Sequence, residues 1–467
     1  MRWTFLRHLF KWITKRKRQP FRPGDLVLGV SSLPRAARPF VVLPQSLRSQ
    51  HLGILGLSGS GKTHFIEHMI RQDIQHKTGF AVFDVHGDLA ERVIGYLAER
   101  APMDQDIYDR TVILEPFDPM RTFGFNPLER TGETPPFFQA QEFAHILRQR
   151  WQEDILSPRT EELLRNSLYT LCVNGETLAR LHDLLSNRDI RTALVARLPP
   201  GEVRVYWTDR YNKLSLKMQA VFREPILTRI SSFIGDPQIR DIVNQEKSTF
   251  SFGEAMRKGQ WVIVNLSLGR LGQNSAILGS MLFTKLALAV MARAHVSETD
   301  RTFFAVYADE LQNLAGESFG RLVAEARKYR VGLVAGHQFW KQLEPYLREA
   351  MLAVGSRVLF RLHYHDAVEL AGELAAGERR RYTKLLTLLE RGEAIARLAE
   401  RRPVLFTVPL HRPAKPTAEE LQKLKTESAI RHTTLREDIH RRDRTIFDAL
   451  GKSRGNEILN DAEFNEL

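Results

Sequence analysis

Apolar residues along the chain fall into short buried runs separated by stretches of helical period. Residues 25–31 (DLVLGVS) and 39–44 (PFVVLP) have the composition of short strands. From His51 to Leu57 an apolar run leads into a glycine-rich turn, and helical periodicity follows from Lys62 to about Gln75. GFAVFDV (79–85) is another buried strand, followed by a helix near 88–99 and the strand TVILEPF (111–117). Continuous apolar strands alternating with helices are the pattern of a parallel sheet covered on both faces.

After FGFNPLE (123–129) the strand pattern stops, and residues 134–246 show mainly helical periodicity. Strands resume at WVIVNLS (261–267), FFAVYADE (303–310), VGLVAGH (331–337) and SRVLFRL (356–362), with helices predicted over 275–294, 317–330 and 340–353. The expected organisation is one α/β domain, residues 23–130 and 250–411, split by an all-α insertion at 131–249. Residues 1–22 form a basic amphipathic segment. The tail, 412–467, is highly charged and poor in large apolar residues, which predicts loosely attached helix or disorder.

The glycine-rich turn carries the first chemistry. Gly56-Leu57-Ser58-Gly59-Ser60-Gly61-Lys62-Thr63 matches GxxxxGK[ST] in full and lies between a strand and a helix. Its glycines let backbone N–H groups turn toward phosphate oxygens, and the helix N-terminus adds partial positive charge. Lys62 is expected to reach the β- and γ-phosphates, and the Thr63 hydroxyl to ligate Mg²⁺. Such a site needs an acidic strand end for the metal. Asp309 is the better candidate, with Glu310 beside it to polarise water; Asp84 ends its own strand similarly but has no carboxylate neighbour. Gln338 ends the next strand, where it can sense a γ-phosphate, orient water or serve as a polar turn residue. Arg327, in EARKYR (325–330), is either a solvated helical residue or a guanidinium offered to a neighbour's γ-phosphate.

Charge adds a partner class. The net charge of +13 is concentrated at the start, where residues 1–22 hold eight basic side chains and no acid. A basic chain suits DNA or an anionic membrane surface. Trp3, Phe5, Leu6, Leu9, Phe10, Trp12 and Ile13 share one half of the helical wheel over 1–18, with Arg7, His8, Lys11 and Lys15 opposite. That helix can lie in a membrane interface, dock on protein, or remain a disordered basic tail. No stretch approaches the ~20 uncharged apolar residues of a membrane span. One cysteine, Cys172, rules out an intrachain disulfide and any cysteine-based zinc site, and suits a reducing, cytoplasmic setting.

Taken together, HLGILGLSGSGKT, VFDVHGDL, FGFNPLE, VIVNLS, YADELQNL and RKYRVGLVAGHQFWKQL resemble the HerA/FtsK group of DNA-pumping ATPases, and within it the TraD/TraG-type conjugative coupling proteins. The resemblance covers roughly residues 50–130 and 250–370. It implies a RecA-like fold, a ring (usually a hexamer), Mg-ATP hydrolysis and movement of DNA through a central pore. It matches Lys62 and Thr63 to the P-loop pair, Asp309 and Glu310 to the acidic pair, Gln338 to the family glutamine and Arg327 to the arginine acting in trans. It also matches 134–246 to the all-α domain that faces DNA and the relaxase complex. Those proteins usually begin with transmembrane helices, a pattern this sequence does not show; its amphipathic start can substitute for them, or the chain is a soluble relative with a different task.

Three functions remain open at this level. One is a coupling ATPase handing relaxase-bound DNA to a type IV secretion channel. The second is a HerA-like translocase working with a nuclease. The third is an ATP-dependent adaptor that recruits protein substrates. Two weaker signals are segment 197–229, with seven basic residues and Tyr206, Trp207 and Tyr211 interleaved, and His363-Tyr364-His365-Asp366. The first suits either DNA stacking or a solvated face; the second suits either a metal or a loop after a strand.

Overall fold

A computed structural model describes residues 22–32, 39–130, 134–151, 157–314, 316, 318–375 and 377–442. The amphipathic segment 1–18 and the end of the charged tail lie outside the described residues.

One eleven-stranded sheet organises the chain, in the order β2-β1-β12-β11-β10-β3-β9-β8-β4-β7-β5. β1 (Leu26–Ser31) and β2 (Phe40–Leu43) form an antiparallel hairpin at one end; β3 is Leu52–Leu55, β4 Gly79–Asp84 and β5 Thr111–Leu114. A two-residue β6 (Arg121–Thr122) stands apart from the main sheet, which continues with β7 (Trp261–Asn265), β8 (Phe304–Ala308), β9 (Val331–His337) and β10 (Ser356–Leu359). From β10 through β3, β9, β8, β4 and β7 to β5 every pairing is parallel. Two strands that the sequence pattern does not announce, β11 (Glu393–Leu398) and β12 (Val404–Thr407), pair antiparallel and join the hairpin to the parallel block. All residues of β3, β4, β5, β7, β8 and β9 are buried, as strands covered on both faces require.

Helices α1 (Lys62–Gln75) and α2 (Asp88–Arg100) pack on one face. The other face shares an unbroken apolar core with the helical block between β6 and β7, including α3 (Pro136–Arg150), α4 (Pro158–Asn174) and α5 (Leu216–Ile234). Helix α6 (Asn274–Ala292) crosses this face. With the turn that follows it, α6 is long and apolar enough to span a membrane by composition, yet most of that stretch is buried, with Leu278, Met281, Phe283 and Leu286 inside the core.

The expected helix 317–330 is shorter: α7 (Ser318–Glu325) tightens into a 3₁₀ turn over Ala326–Tyr329. The expected helix 340–353 becomes a 3₁₀ turn and α8 (Pro345–Leu352), because Pro345 suits a first helical position and not a helix interior. His363-Tyr364-His365-Asp366 is no loop: it leads into α9 (Tyr364–Leu374), and the Asp366 carboxylate accepts the Trp340 amide at 3.2 Å.

Loose attachment fails for the first part of the charged tail. Helix α10 (Ala418–His432) starts on a full capping box at Thr417 and Glu420 and packs on α2 and β5. Only Leu424 and Ser428 are buried on it, which is why composition conceals the docking. Ser428 Oγ accepts the Ile113 amide at 2.8 Å, satisfying a backbone donor on the outermost strand.

Candidate nucleotide site

All the parallel strands deliver their carboxyl ends to one edge, the place where such sheets bind ligands. β3 runs into the phosphate loop, β8 into Asp309 and Glu310, β4 ends in Asp84, and Gln338 follows β9. The order β3-β9-β8 places Gln338 between the loop and the acidic pair.

The loop's shape depends on glycine. Gly61 caps α1 at φ 114°, Gly59 sits at φ 73°, and both conformations are strained for any side chain. Ser58 and Gly59 are exposed at the crest, whereas Ser60 is buried. Lys62 is buried and its Nζ donates to the carbonyls of Gly56 (2.6 Å) and Leu57 (3.3 Å). Burial lowers its pKa, and Glu310 and Asp309 partly restore it.

Thr63 and Asp309 meet directly: the Thr63 hydroxyl donates to Asp309 Oδ2 at 3.0 Å. Burial, then the charges of Glu310 and Asp84, push the Asp309 carboxyl up to about 6. Negative neighbours placed in this way oppose ionisation of Asp309 unless a cation offsets them. A hard divalent ion held by a hydroxyl and a carboxylate fits that donor set, as Mg²⁺ does in phosphate sites.

Asp84 is the lesser candidate by geometry as well. Its two oxygens accept the amides of His86 and Ala90, both at 2.9 Å, so it is committed to starting α2.

Glu310 is turned into place by an unusual backbone. Its φ of 53° and ψ of 55° are left-handed, a conformation costing a non-glycine residue about 1 kcal/mol or more. Two side-chain amides hold the result: Gln338 Nε2 donates to one carboxylate oxygen, and Gln312 Nε2 to the other at 2.6 Å. Sequence reasoning missed Gln312, although YADELQNL sets it two residues after Glu310. It also missed His337, wholly buried and lowered to about 3 by burial and then by Lys62, which keeps it neutral.

A buried triad behind the site links its two halves. Asp73 of α1 accepts from Arg48 Nη1 (2.7 Å) and Nη2 (2.6 Å), and from the Tyr307 hydroxyl of β8 (2.6 Å). Tyr307 lies two residues before Asp309, so the triad fixes the phosphate-loop helix against the acidic strand.

Arg327 is not part of this cluster. It is exposed and precedes β9, at the sheet edge opposite the loop. The seven residues of β9 span ~20 Å, beyond the reach of one side chain to its own chain's phosphates.

Segment 197–229 is corrected in part. Trp207 and Tyr211 are fully buried and Tyr206 nearly so; Trp207 meets both tyrosines edge-on, the tyrosines stack on each other, and Trp207 Nε1 donates to Thr170 Oγ1 at 2.9 Å. These rings are core and cannot stack on bases. Arg197, Arg204, Arg210, Lys213 and Lys217 remain exposed.

Sheet order, phosphate loop and acidic strand end together define a RecA-like P-loop NTPase fold of the α/β class. Within that class, the chain belongs to the family described as the type IV secretion-system coupling protein DNA-binding domain, which matches residues 35–354. Solved structures agree on the fold. The bacterial conjugative coupling protein TrwBdeltaN70 in unbound form is 17% identical with a TM-score of 0.59, covering 87% of this chain and 92% of its own. The plasmid coupling protein TrwB in complex with ADP and Mg²⁺ is 16% identical with a TM-score of 0.53, covering 88% and 93%. The same protein with the ATP analogue ADPNP is 14% identical with a TM-score of 0.53, covering 87% and 93%. No curated protein matches the sequence.

Proposed function

We propose that this chain is a Mg-ATP-dependent DNA translocase, the coupling ATPase that delivers relaxase-bound DNA to a type IV secretion or conjugation channel. The observation that carries the proposal is the 3.0 Å contact between Thr63 and Asp309, which joins the phosphate loop to the acidic strand end. Family membership, and the ADPNP and ADP–Mg²⁺ complexes of TrwB, support the same reading.

In this scheme the backbone amides of Ser58–Gly61 and the Lys62 ammonium would hold the phosphates, and Thr63 and Asp309 would hold Mg²⁺. Mg²⁺ bound there would supply electrostatic stabilisation of the phosphate charge. Glu310 accepts a proton from the attacking water, and Gln338 and Gln312 keep its carboxylate aimed. Partners are DNA, further copies of the chain in a ring, and a relaxase or channel protein. Residues 1–18 would touch the membrane peripherally from the cytoplasm.

ATP turnover of the full chain, measured with single-stranded DNA, with duplex, with neither, and on liposomes, tests the proposal. Stimulation by single-stranded DNA that disappears in Lys62→Ala is the expected result. Turnover indifferent to DNA points to substrate recruitment, and stimulation by duplex alone to a nuclease-linked translocase; either outcome removes the coupling role.

The position of Arg327 yields a second test. Arg327→Ala and Lys62→Ala are each expected to lose about 10³-fold or more in turnover, the scale of an arginine finger. Mixed in equal amounts, they should regain part of the activity, since some interfaces then pair an intact loop with an intact arginine. A mixture as inactive as its parents rules out the action in trans.

A further inference from the structure

A second cluster of ligand-type side chains lies beside α1, outside the nucleotide site. After β12 an extended strap, residues 408–417, crosses α1 and α2 before α10 begins. Side chains of α1 hold two of its carbonyls: His64 Nε2 is 3.1 Å from the Pro409 carbonyl oxygen, and Arg71 Nη1 donates to the Arg412 carbonyl at 3.0 Å. A carbonyl oxygen only accepts, so His64 carries its proton on Nε2 and leaves Nδ1 with a bare lone pair.

His411 comes from the strap. Its ring stacks on His64 at 4.1 Å between centroids and on His68 at 6.0 Å. His411 Nε2 is 3.1 Å from Glu67 Oε1, yet both ring nitrogens are buried without a well-aligned hydrogen bond. Nδ1 therefore has no partner and Nε2 has only the unaligned approach to Glu67, short of what a buried polar group requires. His64 and Glu67 stand three residues apart on α1, on one face of the helix. His64, Glu67 and His411 each bring a ligand atom within 4.8 Å of the other two.

We infer that His64, Glu67 and His411 bind a divalent transition-metal cation, Zn²⁺ by preference, which pins the strap to the helix that begins at the phosphate loop. Two imidazoles and a carboxylate match a three-ligand zinc site with a fourth position for water. Mg²⁺ and Ca²⁺ prefer all-oxygen ligands and are disfavoured here. The outer contacts are those a metal site uses to orient its ligands: the Pro409 carbonyl on His64, and Arg71 Nη2 on Glu67 Oε1 at 2.5 Å. A carboxylate has about four acceptor positions, so Glu67 holds Arg71 and a metal together. A cavity of about 890 Å³, lined by all three residues and by Arg71, Asp88 and Arg92, provides the route of entry.

Zn²⁺ titrated by calorimetry into the tag-free, chelator-stripped full chain, with excess Mg²⁺ and no nucleotide, tests the inference. One Zn²⁺ per chain is expected, and Co²⁺ in its place should show the strong visible bands of four-coordination. His411→Ala should weaken binding by at least about tenfold, the smallest effect expected at a metal centre. His411→Cys, which keeps a zinc ligand, should retain binding and the rise in unfolding temperature that Zn²⁺ gives the unaltered chain. Should His411→Ala fail to fold, Glu67→Gln against His411→Cys makes the same comparison. Absence of stoichiometric binding, or equal binding after loss of either ligand, overturns the assignment.

Discussion

Glu310→Gln should lower ATP turnover by about 10²–10⁴-fold, the contribution of a positioned general base, while Mg-ATP binding changes only a few-fold. The separation follows from geometry. Asp309, not Glu310, touches Thr63, so the phosphates and the metal keep their ligands in this variant. The substituted amide keeps the size of the carboxylate between Gln338 and Gln312 but no longer accepts a proton from water. Binding of a fluorescent ATP analogue beside single-turnover hydrolysis separates the two effects. Equal loss of both would move Glu310 from chemistry to binding.

Asp73→Ala should have the largest effect on stability, about 3–5 kcal/mol, because it leaves the buried Arg48 guanidinium without its carboxylate. Asp73 and Arg48 have side chains 0% and 3% exposed, and Tyr307 is fully buried beside them. Burial and then the Asp73 charge raise the Tyr307 hydroxyl well above its ordinary range, so it stays protonated and donates. Since the triad spans α1 and β8, nucleotide affinity should fall with stability. Denaturant unfolding, with and without Mg-ATP, checks both. A loss below about 1 kcal/mol would show that the charge finds another partner.

The phosphate loop was legible because its chemistry is contiguous: eight neighbouring residues set both backbone shape and side-chain roles. The parallel strands were legible because burial on both faces leaves unbroken apolar runs. The Arg48–Asp73–Tyr307 triad was not, since its members are distant in sequence and each residue alone reads as an ordinary polar position. The aromatics at 206, 207 and 211 misled for a related reason. Basic and aromatic residues in alternation suit a stacking surface, but the irregular π-helical turn over Tyr206–Tyr211 sends all three rings inward. Helix α10 has an exposed charged surface, and its docking rests on the few residues it buries.

One feature of the sheet bears on how copies of this chain could work together. β9 runs from the turn carrying Arg327 to Gln338, and its central position between β3 and β8 leaves it no room to flex sideways. If the proposed ring places a neighbouring copy's phosphates against Arg327, this one strand is the shortest covalent path from that contact to Gln338 and Glu310. In such a ring the occupancy of one chamber would then bear on the next through backbone alone, with no separate relay element required.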